Sequence, residues 1–159
     1  MGPASATTND RELSQGMTAF SNMRQQPLQN TTMVLVTDQF HGELLIRQGR
    51  ELADRTGTRL EVINVAAAMV ERNHGALEHL YQVSKDHGAM MTIHYSQDPP
   101  RFLARLLRDQ QPAQVVTGLP HGGDSLLHRL WTRFQQIGFY TVDLEGNLAA
   151  VTLKDRVIA

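Results

Sequence analysis

From Thr32 onward the apolar positions alternate between two rhythms. Met33-Val34-Leu35-Val36 is a short continuous apolar run, the pattern of a strand covered on both faces. Leu44, Leu45, Gly49, Leu52 and Ala53 then fall on one side of a helix, which stops at Thr56-Gly57. Leu60–Val65 reads as a second strand. Ala76, Leu77, Leu80 and Val83 line a second helix closed by His87-Gly88, and Ala89–Ile93 is a third strand. Asp98-Pro99-Pro100 starts the next helix: a capping carboxylate, then proline where no N–H is needed. Phe102, Leu103, Leu106 and Leu107 give that helix its buried face, and Pro112 lies just past its end. Val115–Gly118 is the fourth strand. Leu126, Leu127, Leu130, Trp131 and Phe134 mark the fourth helix, expected to end at Gly138. Phe139–Val142 and Leu148–Leu153 flank Glu145-Gly146-Asn147, a hairpin signal.

Strand, helix, strand thus repeats with starts near 33, 60, 89, 115 and 139. Such spacing suits consecutive right-handed βαβ units. The expected fold is α/β: a doubly wound, mostly parallel five-stranded sheet with helices on both faces, plus a C-terminal β-hairpin strand. Ligands of such sheets bind beyond the carboxyl ends of the strands, at the switch point in strand order. Residues 1–31 differ. They are rich in Ser, Thr, Asn and Gln and read as a polar extension to the domain at 32–159. Leu13, Met17, Phe20 and Met23 within them keep helical spacing, enough for a short helix docking on the domain or on a second subunit.

Composition narrows the function classes. The chain has 159 residues, 41% hydrophobic and 19% charged, with a formal net charge of -1. This is globular composition with no electrostatic footprint for nucleic acid. Absence of cysteine excludes disulfides and thiolate chemistry. No apolar run reaches the roughly 18–20 residues that span a bilayer, so membrane insertion is not expected and the cytoplasm is the default location. Seven histidines, His41, His74, His79, His87, His94, His121 and His128, make no metal-ligand spacing, and no metal site is expected. Arg101, Arg105 and Arg108 form one basic helix face, either solvated or a docking stripe for an acidic partner.

Three loops follow strand ends. Thr37-Asp38 offers a carboxylate that either accepts from a base or ribose or caps the next helix. The stretch from Val65 through Ala66-Ala67-Ala68 is small enough to floor a pocket, or simply begins a helix. Gly118-Leu119-Pro120-His121-Gly122-Gly123-Asp124-Ser125 permits close backbone approach ahead of a helix N-terminus, the physics of an anion cradle, although it lacks the Gly-Lys-Ser/Thr of a Walker loop. Its alternative reading is a turn with Asp124 or Ser125 capping the fourth helix. Ser125 has no Gly-x-Ser-x-Gly elbow to make it a nucleophile.

With the repeated βα pattern, Asp38 after the first strand and the glycine loop at Gly118, the stretch from Thr32 to about Tyr140 resembles the universal stress proteins. ATP binders of that family carry G-x2-G-x9-G-S/T after the fourth strand. Here Gly118 matches the first glycine, His121 and Trp131 stand at the second and third, and Thr132 holds the hydroxyl position, with Gly122 one residue past the second. The Leu-Pro-His-Gly-Gly loop and Leu130–Phe134 look closer to the stress-type domains of bacterial potassium-sensing histidine kinases. The resemblance implies a regulatory domain of the stress response rather than an enzyme. Its ligand would lie against Thr37, Asp38, Val65, Gly118, His121, Gly122, Gly123, Ser125 and Thr132. No cofactor is required; the candidates are ATP, AMP or a cyclic dinucleotide. A homodimer, or a signalling protein as partner, is expected with it. The rival readings are a pure interaction or dimerisation module and, third, a nucleotide-dependent enzyme in which His121 alone is placed to help.

Overall fold

The computed structural model describes residues 30–36, 39–66, 74–120 and 126–156. In chain order these form β1 (Thr31–Val36), α1 (Gln39–Thr56), β2 (Arg59–Ala66), α2 (His74–Asp86), β3 (Met90–Tyr95), α3 (Pro99–Gln110), β4 (Gln114–Gly118), α4 (Leu126–Arg133), β5 (Gly138–Val142) and β6 (Leu148–Ala150). The sheet order is β3-β2-β1-β4-β5-β6, with β1 to β5 all parallel and β6 antiparallel to β5. The expected doubly wound α/β architecture is what the chain adopts.

Period-two alternation assigns each strand side chain to one of two cores. Val34, Val36, Val62, Val116 and Val142 face one way and meet Leu45, Leu52 and Ala53 of α1 and Leu80 and Val83 of α2. Met33, Leu35, Ile63, Val115 and Phe139 face the other way and meet Leu103 and Leu107 of α3 and Leu130 and Trp131 of α4. Two helices therefore cover each face. The first two crossovers run outward from β1 on one face, and the chain then crosses to the other face for β4 and β5, which keeps the crossovers right-handed.

Local signals act where the sequence places them. Gly57 and Gly88 close α1 and α2 at φ +70° and +72°, where a side chain would be strained. Asp98 Oδ1 accepts from Arg101 N at 3.3 Å, and Pro99 opens α3. Two expectations need correction. The fourth helix ends at Arg133, not at Gly138, which instead begins β5. The carbonyls of Phe134 and Ile137, just past that helix, accept from Arg156 Nη1 at 3.3 Å and Nη2 at 2.8 Å, a cation where the helix dipole favours one. Burial holds the pKa of Arg156 below its ordinary value. The strand expected over Leu148–Leu153 stops at Ala150, because Thr152 and Asp155 exchange hydrogen bonds with one another and bend the chain.

The lower end of the sheet, where strands begin, is tied by polar side chains. Gln114 Nε2 donates to Thr32 Oγ1 at 2.9 Å and to Thr56 Oγ1 at 2.8 Å, and Thr32 Oγ1 lies 2.6 Å from Thr58 Oγ1. Thr56 Oγ1 donates onward to Leu52 O at 2.8 Å. The buried Thr32 and Gln114 are thereby satisfied by the more exposed Thr56 and Thr58, which is what allows their polar atoms under α1.

Candidate functional site

Strand order reverses between β1 and β4, so the switch point lies there. Their register pairs Thr32 with Gln114, Met33 with Val115 and Val34 with Val116, which sets Gly118 level with Val36. Register on either side extends the row: Ile93 pairs with Asn64, Asn64 with Val36, and Gly118 with Val142. Ile93, Asn64, Val36, Gly118 and Val142 thus form one transverse line near the upper end of the sheet. The chain leaves β1 and β4 side by side from this line.

Two polar side chains organise it. Asn64, buried in β2 beside Ile63, donates from Nδ2 to Val36 O at 2.9 Å and fixes the last carbonyl of β1. His41, in the first turn of α1, donates from Nε2 to Val142 O at 3.0 Å and lies 3.3 Å from Asp143 O. Its ring also fills the space beside Gly118: a Cβ built there would sit 2.9 Å from His41 Cε1. A larger residue at 118 would therefore have to displace the His41 ring, a reason for glycine internal to the protein. Past β5, the backbone N–H groups of Asn147 and Glu145 bond Asp143 Oδ1 at 2.9 Å each, and with the Asn147 amide they hold that carboxyl below the usual carboxylate range. Gly146, at φ +90°, completes this hairpin turn.

Of the residues expected at the site, Thr37, Asp38, His121, Gly122, Gly123 and Ser125 lie outside the described residues. Gly118 stands at the switch point. Val65, on β2, turns its side chain to the α3/α4 core. Thr132 sits in the last turn of α4, its hydroxyl 3.0 Å from both His128 O and Arg156 O. Trp131, aligned with a glycine that meets phosphate, is only 5% exposed and packed in the α3/α4 core. Its ring fills the interior. Helical spacing from Leu126 to Phe134 signals this burial, and here the periodicity outweighs the motif alignment. Its buried Nε1–H meets no acceptor among the described residues.

The described histidine side chains are occupied structurally. His79 pairs with Glu43 at 3.1 Å, His87 Nδ1 bonds Val83 O at 2.9 Å, His94 packs on Phe102 and His128 on Trp131. Among the described residues no three His, Cys, Asp or Glu side chains gather as a metal site, and no helix is long and apolar enough to cross a membrane. Sequence reasoning passed over Asn64 and the ring contact of His41; a lone amide on the inward parity of β2 was the available signal for the first.

No family model matches the chain, and no curated protein matches it. Among solved structures it is similar to a protein of the universal stress protein family from Burkholderia pseudomallei. That similarity is 17% in sequence identity and covers 70% of this chain and 94% of that chain, with a TM-score of 0.45.

Proposed function

We propose that this chain is a non-catalytic regulatory domain of universal stress type, close to the stress-type domains of potassium-sensing histidine kinases. It binds a small ligand of the nucleotide class above the β1/β4 switch point and acts as a homodimer or through a signalling partner. One observation carries the reading: β1 and β4 end side by side where strand order reverses, the place at which open α/β sheets collect ligands. Thr37 and Asp38 follow directly from one of these ends, and the loop holding His121, Gly122, Gly123 and Ser125 from the other. Asp38 accepts hydrogen bonds from a base or ribose, and the glycine loop presents backbone N–H groups to phosphate. A regulatory rather than catalytic role is supported by His41, whose imidazole is committed to the carbonyl groups at the end of β5.

Thermal unfolding in the presence of ATP, AMP or a cyclic dinucleotide tests this reading. A ligand at a hundred times its Kd adds about 2.7 kcal/mol of stability. One of the three is expected to raise Tm, and Asp38→Ala to abolish the rise. If none shifts Tm while a stable dimer persists, the chain is an interaction module. Phosphate release that disappears in His121→Ala makes it an enzyme.

A further inference from the structure

On the outer side of α3 and α4 the two helices leave an open groove of about 280 Å³. Ala104 and Leu130 form part of its apolar floor, and Arg101, Arg129 and Arg133 stand along it. Its one carboxylate, Asp98, is already engaged with the backbone N–H of Arg101 as the cap of α3. Among the described residues, Arg101, Arg105, Arg129 and Arg133 meet no carboxylate; Arg133 lies over the Phe134 ring at 5.5 Å. We propose that this groove is the docking site for an acidic, amphipathic segment of a partner protein.

The choice of occupant follows from charge and shape. Helices α3 and α4 together carry five arginines and one acidic residue, on a chain whose net charge is -1. The positive potential is therefore local to one face. Arg101 and Arg105 on α3, and Arg129 and Arg133 on α4, are each separated by about one helical turn, roughly 5–6 Å. Guanidinium groups laid out along two helices match carboxylates laid out along a peptide, whereas a single phosphate needs them converging on one point. The apolar floor between the arginines suits one or two anchoring side chains on the same peptide, as when an amphipathic segment lies in a groove. Electrostatic complementarity of this kind sets association rate and orientation, with the apolar anchor adding residence time.

The experiment uses the full chain, 15N-labelled, and a fluorescein-labelled probe peptide of glutamates around two leucines. Saturable anisotropy is expected, with affinity falling on the order of tenfold between low salt and about 0.5 M salt as screening shortens. Amide shifts are expected to concentrate at Ala104 and Leu130. Arg129→Glu combined with Arg133→Glu weakens binding by on the order of tenfold or more. Ala104→Glu, which places a carboxylate among the arginines, does the same, whereas Arg47→Glu on α1 changes nothing. Circular dichroism melts establish that each variant is folded. The proposal is overturned if the probe does not bind at low salt, if the double reversal leaves affinity unchanged, or if a glutamine version of the peptide binds equally well. It is also overturned if pyrophosphate or a short RNA occupies these arginines more tightly than the peptide.

Discussion

On the α1/α2 side of the sheet two of the three arginines are paired with carboxylates. Arg47 pairs with Glu43 and Arg50 with Asp54, each at 2.8 Å, and Arg50 Nη1 also donates to His87 O at the end of α2. Those two helices carry five carboxylates against four basic residues. On the α3/α4 side, five arginines face one acidic residue, and the nearest pairing is Arg108 with Asp109 at 3.5 Å. Yet the cores beneath are alike: Leu80 of α2 and Leu107 of α3 are 2% and 0% exposed. The lesson is that both layers bury their leucines alike, while surface charge separates a layer with two helix ion pairs from one whose arginines outnumber its acids five to one.

The largest predicted effect strikes the α3/α4 layer. Trp131→Gly removes a core ring and costs about 3–5 kcal/mol for the lost packing. About 1 kcal/mol more follows from glycine in a helix. Urea unfolding followed by circular dichroism measures it. Nucleotide affinity in the folded fraction does not improve; an improvement would restore the ring to the ligand crevice. Next, Leu80→Ala and Leu107→Ala should each cost about 2–5 kcal/mol, and a twofold inequality would break the equivalence of the two layers. Thr32→Val leaves a donor of Gln114 unsatisfied under α1 and costs about 1–3 kcal/mol in the same assay.

Surface arginines sharpen the contrast further. Arg50→Ala should cost about 1–2 kcal/mol, since it frees the His87 carbonyl, whereas Arg129→Ala stays within about 0.5 kcal/mol of the parent. The smallest effect is the pH dependence of Glu43. Its hydrogen bond to His79, helped by Arg47, lowers its pKa, so its contribution is present above the unfolded-state pKa of about 4.3 and fades as pH falls below that. For so exposed a cluster the loss is about 0.3–0.5 kcal/mol, read as the difference between parent and Glu43→Gln melts at pH 7 and pH 3.

Alternating apolar rhythms made the βα succession legible, and Asp98-Pro99, Gly57 and Gly88 marked real helix ends because those signals are local. Strand order was not legible, since neighbours such as Val34 and Val116 are joined only by folding. Gly138 looked like the stop of α4 because glycine is the usual cap, but Arg156, far along the chain, satisfies those carbonyls. The run after Leu148 had the composition of a strand, and the reciprocal bonds of Thr152 and Asp155 won locally. At the candidate site, the glycine loop from Gly118 reads in the sequence as room for a ligand to approach the backbone. The group that approaches it in the structure is His41, and no spacing rule links residues so distant.

The sheet also has two dissimilar margins. At one, β6 offers only Leu148–Ala150 before the chain bends away. At the other, β3 runs for six residues beside β2, with Met90 74% exposed. A short, bent margin is a poor template for strand addition, and a long one is a good template. Addition of a further strand at the β6 margin is thereby disfavoured.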